Sequence, residues 1–226
     1  MIADLVPLRS RLAAEALGTA LLVAIVVGSG IMGERMADGN AAIALLANSA
    51  ATGCGLFVLI LVFAPISGAH FNPLVSLVFV LLGALPARIA AAYAVVQLTG
   101  ALAGVAWAHA MFELAPWVAS AHARTGLAQW LAEASATFGL ILTILGCARY
   151  GIAVLAASVG AYIAAAYWFT ASTSFANPVV TIARALTPTF SGIRPVDVAA
   201  FVAAQAAGAL IALLFWRAIE SEREAT

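Results

Sequence analysis

Long apolar runs separated by short polar breaks fill this chain. Six of them, at about 11–32, 42–63, 89–109, 127–147, 151–171 and 197–217, approach the ~20 residues an α-helix needs to cross a ~30 Å hydrocarbon layer. The pattern predicts six membrane-spanning helices. Two further apolar stretches, 72–83 and 177–187, are too short to cross: about ten helical residues at ~1.5 Å each reach ~15 Å, half a bilayer. Each opens on Asn-Pro, as Asn72-Pro73 and Asn177-Pro178. Asn is a strong helix N-cap, and Pro suits the first helical position because its missing N–H costs nothing there. Both stretches therefore read as loops that turn abruptly into helix starts at membrane depth, with Pro86 and Pro188 expected to close them.

The two halves echo each other. Ala14-Glu15-Ala16-Leu17-Gly18-Thr19 has a counterpart in Ala132-Glu133-Ala134-Ser135-Ala136-Thr137, and an Asn-Pro run follows each. The chain is expected to be one transmembrane domain, 1–226, built of two repeats at about 1–120 and 121–226. Each repeat carries three full spans and one short segment. Three is odd, so the second copy enters the membrane from the opposite face, and inverted repeats of this kind place a site at the bilayer midplane. The lead-ins 67–71 and 172–176 must be buried in protein or line water, because lipid cannot satisfy free backbone. Gly100 and Gly104 form a GxxxG pair, read here with the other span glycines mostly as ordinary close packing.

Composition narrows the class. With 65% hydrophobic residues, 9% charged and a mean hydropathy of +1.08, the chain lacks the polar surface to cover a soluble core. Formal net charge is zero, so nothing suggests a nucleic-acid partner; the lipid bilayer is the expected environment. All ten basic residues are Arg, and Arg9, Arg11, Arg88, Arg149, Arg217 and Arg223 fall on one side of the six spans, against Arg35, Arg124 and Arg194 on the other. The positive-inside rule puts both termini in the cytoplasm, as in a multi-pass protein of a bacterial-type inner membrane. Arg9 and Arg11 precede an apolar run too long for the core of a cleavable signal. Cys54 and Cys147 read as packing residues, and His109, Glu113 and His122 lack tight metal-ligand spacing. No cofactor or metal is expected.

The run Ser67-Gly68-Ala69-His70-Phe71-Asn72-Pro73-Leu74 and its partner Ser174-Phe175-Ala176-Asn177-Pro178-Val179 resemble the two Asn-Pro-Ala boxes of the aquaporin (major intrinsic protein) family. The stretch from Ser172 to Arg184 is similar to a bacterial aquaglyceroporin-like branch, some members of which are associated with arsenic resistance. The resemblance implies an all-α fold of six spans plus two half-membrane helices, assembled as a homotetramer with one pore per subunit. The half-helix N-termini, each worth roughly +0.5 charge, would meet at Asn72 and Asn177 and repel cations. The two Asn amides would donate to a neutral solute, and carbonyls of Gly68, Ala69, His70, Thr173, Ser174 and Phe175 would accept.

The family's four filter positions, carried over by spacing from the boxes, fall on Thr52, Ala165, Ser174 and Val180. No aromatic ring, His or Arg stands there, which implies a constriction wider than water requires. Leu74 and Val179 replace the usual Ala of each box, so the central contact is expected to be bulkier. Arg184, four residues past Val180, is either a charge in the outer vestibule or a partner that orders a loop. Glu15 and Glu133 sit inside apolar spans, where a charge costs ~2.5–3.5 kcal/mol. They are either the proton relay of a proton-coupled secondary transporter or acceptors that hold the pore loops, and the resemblance favours the second. An intramembrane enzyme is not supported, because no Ser–His–Asp set shares one depth. The implied function is a passive channel for glycerol-like polyols, metalloid hydroxides such as arsenite, and water.

Overall fold

The computed structural model describes residues 6–224, with side chains as far as Ser221. The extreme termini and the side chain of Arg223 lie outside the described residues. Eight α-helices follow one another: α1 (Leu8–Met36), α2 (Ala41–Ser67), α3 (Pro73–Leu81), α4 (Ala87–Met111), α5 (Leu127–Cys147), α6 (Ile152–Phe169), α7 (Pro178–Arg184) and α8 (Val198–Glu224). No strand occurs among the described residues. Six helices are long and apolar enough to span a membrane, and α3 and α7 are the two short ones. The spans run a few residues past the hydropathy limits at most ends; Asn40, for example, starts α2 by accepting from the N–H of Ala42 at 3.0 Å and of Ile43 at 3.3 Å.

One expected boundary is corrected. Pro86 does not close α3 but precedes α4 as its N-cap. The stop is Gly83, at φ +73°, with its N–H on Val80 O and that of Ala84 on Phe79 O, each at 2.9 Å. This left-handed cap satisfies the last carbonyls of α3. Likewise α7 ends at Arg184, four residues short of Pro188.

The helices pack as two similar groups, α1 with α2 and α4, and α5 with α6 and α8, joined through α2 against α6. Each half-helix lies against both α4 and α8, and so touches both groups. Outward faces are apolar, as at Val62, Val95, Leu131 and Leu214, which suits lipid.

Lipid gives apolar helices no hydrophobic reason to associate, so close backbone approach has to supply the attraction. Gly100 abuts the backbone carbonyl of Ala16, and Gly208 that of Ala134, in matching places of the two groups. Gly53 and Gly160 face each other where α2 crosses α6. These glycines are contacts of backbone on backbone, a closer fit than ordinary side-chain packing. Gly100→Ala is therefore expected to lower stability in detergent by about 1–3 kcal/mol. Gly146→Ala meets only Trp216, at 3.7 Å, and is expected to be neutral or stabilising by up to ~1 kcal/mol. Thermal unfolding of the two variants side by side checks the contrast.

Candidate functional site: a pore between two half-helices

The lead-ins to α3 and α7 have the same backbone. Gly68, Ala69 and Phe71 take positive φ in the first, and Thr173, Ser174 and Ala176 take it in the second. Left-handed conformation costs a non-glycine residue roughly 1–2 kcal/mol, so something must hold these five. It is a carboxylate in each case. Glu15 accepts from the N–H of His70 at 2.9 Å and of Phe71 at 2.7 Å. Glu133 accepts from those of Phe175 and Ala176, both at 2.9 Å. Each carboxylate is also gripped from behind by a glutamine amide, Gln97 at 2.8 Å and Gln205 at 2.6 Å, and Ser67 adds a bond of 2.6 Å to Glu15. Glu15 and Glu133 are fully buried, and neither lines the cavity described next.

The outer corners are braced as well. Tyr93 donates its hydroxyl to Ser67 O at 2.8 Å, backed by Arg11 at 2.9 Å. On the opposite side Arg124 donates to Ser172 O at 2.9 Å and Gly192 O at 2.8 Å. The braced lead-ins turn to a narrow cavity of about 100 Å³, walled otherwise by faces of α1, α2, α5 and α6.

Asn72 and Asn177 meet on that cavity. Each side-chain oxygen caps its own half-helix, Asn72 on the N–H of Leu74 at 3.0 Å and Asn177 on that of Val179 at 3.1 Å. Each amide nitrogen crosses to the other lead-in, Asn72 donating to Ala176 O and Asn177 to Phe71 O, both at 2.8 Å. A primary amide has two N–H donors, so one donor per Asn is spent on the crossing and one meets no protein acceptor among the described residues. Pro73 and Pro178 open the two half-helices at their first positions.

Gly68, Ala69, His70, Ser174 and Phe175 all border the cavity. Thr173 does not, and its hydroxyl instead lies 3.5 Å from Arg124; Phe71 and Ala176 stand on the cavity in addition. Leu74 and Val179 also turn away from it. They are buried in the packing behind the half-helices, and Val75 and Val180, one residue further on, face the lumen. The bulk expected at the central contact is therefore absent.

Of the four filter positions, Thr52, Ser174 and Val180 line the cavity. Ala165 is exposed on the outside of α6. The helix period explains the correction: Val159, Ile163 and Tyr167, four apart, make the cavity face of α6, and Ala165 lies on the opposite side. Tyr167 is thus an aromatic ring at the pore, its hydroxyl 3.2 Å from Thr52 Oγ1. Reading the helical face of α6 instead of the distance from Asn177 would have found it. The repeated Gln-x-x-Gly of Gln97–Gly100 and Gln205–Gly208 likewise signalled the two carboxylate partners.

Arg184 is on the cavity too, with 1% of its surface exposed. A helical side chain leans toward the N-terminus of its helix, so this guanidinium reaches back over the turn that carries Val180. Its carbon sits 3.3 Å from the centroid of the Phe175 ring, with that of Arg124 at 5.0 Å, and its Nε donates to Ser191 O. It ties the loop at Ser191 to α7 and borders the cavity at once. His122, in the loop beside them, is held below the ordinary histidine range by burial and by Arg124 and Arg184, with Glu34 opposing. His109 has both ring nitrogens engaged, with Ala115 O at 2.7 Å and Thr187 Oγ1 at 2.8 Å. No cluster of three metal-ligating side chains occurs among the described residues.

The profile of the family described as Major intrinsic protein matches residues 4–150. The chain belongs to the major intrinsic protein family. It is 56% identical over 210 residues, 93% of this chain and 90% of the relative, to aquaglyceroporin AqpS of Rhizobium meliloti. Over 98 residues, 43% of this chain and 35% of the relative, it is 38% identical to probable aquaporin PIP2-8 of Oryza sativa subsp. japonica. The X-ray structure of the aquaglyceroporin from Plasmodium falciparum superposes with a TM-score of 0.75 at 20% identity, covering 93% of this chain and 96% of that one. At that identity the likeness speaks for the shared fold of major intrinsic proteins.

Two outcomes are expected from this geometry. Ala165→Leu, on the outer face of α6, should leave water flux into proteoliposomes within about twofold, the flux equivalent of ~0.5 kcal/mol; a much larger fall would return Ala165 to the pore. Glu133→Leu strands three buried donors at ~1–3 kcal/mol each and should fail to assemble. Glu133→Gln keeps one accepting oxygen and should assemble with lowered thermal stability, as detergent size-exclusion and melting will report.

Proposed function

We propose that the chain is a passive channel for small uncharged solutes: glycerol-like polyols, metalloid hydroxides such as As(OH)3, and water. The observation that carries this reading is the crossed pair of asparagine bonds, which leaves one free N–H of each amide on a narrow, mostly apolar cavity. Gly68, Ala69, His70, Ser174 and Phe175 border the same cavity, and their carbonyls are assigned as the acceptors. A neutral solute with hydroxyl groups exchanges its water for both kinds of partner, whereas a cation finds no counter-charge in the lumen. The 56% identity to a protein named an aquaglyceroporin supports the polyol class. Val180, at a place where water-selective relatives carry Arg, supports the wider solutes.

The remaining parts of the reading rest on the distribution of arginines and on the family resemblance. The side that carries α1's start and most of the arginines faces the cytoplasm, the protein sits in a bacterial-type inner membrane, and four copies assemble with one pore each. The proton-coupled transporter is the weaker reading. Glu15 and Glu133 are each engaged by backbone and glutamine donors and neither lines the cavity, which supports a holding role over a proton relay.

Stopped-flow light scattering on proteoliposomes, with water, glycerol, urea and arsenite as solutes, tests the proposal. Flux should follow the gradient without saturating at low millimolar solute, and should ignore an imposed pH gradient. Proton uptake tied to solute uptake would replace the channel with the transporter. Val180→Arg places a second guanidinium one turn below Arg184 and is expected to cut glycerol and arsenite flux by about tenfold, ~1.4 kcal/mol, with a smaller effect on water.

A further inference from the structure

The two ends of the bundle carry their aromatic rings differently. Trp107, Trp117, Trp130 and Trp168 all stand at the end where α1 finishes, and Trp216 alone stands at the end where α1 starts. Two arginines flank that lone indole. Arg149 sits in the 3₁₀ turn Ala148–Tyr150 that follows α5, and residues 148–151 are all that separates α5 from α6. Gly151, at φ +91°, makes the reversal, so a connection this short keeps Arg149 and Tyr150 at the membrane surface. The Arg149 guanidinium donates to the Tyr150 hydroxyl at 2.8 Å, with Cζ 4.8 Å from the ring centroid. Trp216 packs against Gly146, one turn before Arg149. Arg217, next on α8, donates to Leu81 O in the last turn of α3. Both arginines are exposed, and neither pairs with a carboxylate among the described residues, although Glu220 follows one turn past Arg217. A guanidinium has five N–H donors, so each keeps several for a partner outside the protein.

We propose that the ends of α5 and α8 bind an anionic phospholipid, with Arg149 and Arg217 on its headgroup and Trp216 and Phe215 beside its acyl chains. The cations and an apolar wall adjoin here. Ile211, Leu214 and Phe215 are exposed on α8, and the Phe215 ring lies 6.1 Å from that of Phe138 on α5. A ligand that carries both phosphate and hydrocarbon meets the two together, whereas a free phosphate meets only the first. A zwitterionic headgroup brings its own cation to the site and leaves the arginine charge uncompensated; an anionic one removes it. Orientation in the membrane asks only for positive charge. These guanidiniums are in addition fixed in place, one by a ring hydroxyl and one by a helix-end carbonyl, which lowers the ordering cost of a headgroup bond. None of these residues lines the cavity, so the site stands apart from the channel reading, and the orientation proposed above sets only which leaflet supplies the lipid.

The lone indole supplies the test. The full chain is reconstituted in vesicles of phosphatidylcholine with brominated acyl chains, which quench a neighbouring tryptophan, and unbrominated phosphatidylglycerol is mixed in. The Trp216→Phe variant, measured in parallel, separates the Trp216 signal from that of the other four rings. Phosphatidylglycerol is expected to relieve the quenching of Trp216 at a lower fraction than simple dilution of bromine gives, while the rings at the opposite end follow dilution. Arg149→Gln and Arg217→Gln should each lower the preference for phosphatidylglycerol roughly fivefold. Should Arg217→Gln loosen α3 and fail to assemble, Arg149→Gln decides, because the printed bond it loses is to its neighbour in the same turn. Relief that follows dilution in the unmodified chain would overturn the site. So would a preference that survives unchanged in the arginine variants that assemble, since the bilayer's general charge and not these guanidiniums would then be its source.

Discussion

A buried carboxylate holding strained backbone is what the rest of the pore depends on. An extended segment in the middle of a membrane has N–H groups that lipid cannot satisfy. An oxygen pair that accepts without donating can collect several of them at one point, and Glu15 and Glu133 do so from positions that are fully buried. The bonds run in both directions of cause. They offset the cost of burying a charge, which would otherwise be prohibitive, and they hold five non-glycine residues in the left-handed region. With the N–H groups drawn outward to the carboxylates, the lead-in residues are left facing the cavity. They border it beside the side chains of Asn72, Asn177, Thr52, Tyr167, Ser174 and Arg184.

The second constraint is that the cavity is a seam. No single element encloses it: four spans supply walls, two lead-ins supply polarity, and α4 and α8 stand behind the half-helices without reaching the lumen. Such a seam keeps its width only if the helices cannot drift apart. Gly53 against Gly160, and Gly100 and Gly208 against carbonyls of α1 and α5, set that spacing with backbone atoms, whose positions vary far less than rotamers.

Much of this was legible in the chain. The spans, the half-length segments and the asparagine pair follow from hydrophobic run length and from the capping chemistry of Asn and Pro. What was not legible follows from geometry that letters alone do not carry. Ala165 was placed by counting back from Asn177, yet the loop between them contains three left-handed residues, and distance along such a loop does not convert to height in the membrane. Leu74 and Val179 differ from their neighbours Val75 and Val180 only by the ~100° that one residue turns a helix, which is enough to move them from lumen to packing. Arg184 left two roles open because its position marks where its backbone starts and not where a long side chain, leaning back along α7, ends. The matched glutamines were visible as a repeat and lacked only an assigned partner.

The crossed asparagine bonds carry a consequence for how the molecule comes into being. Asn72 finds its acceptor on Ala176, 104 residues later, and Phe71 O waits for Asn177, 106 residues away from it. Chains are synthesised N-terminus first, so the earlier half must be held in the membrane with its central polar groups unmatched until the later half arrives. An interrupted chain contains one lead-in and one half-helix, and nothing closes the opposite wall. Conduction thus begins as a property of the finished chain, and a cell that abandons synthesis midway is left with an incomplete protein for its quality control to clear and not with a half-formed hole.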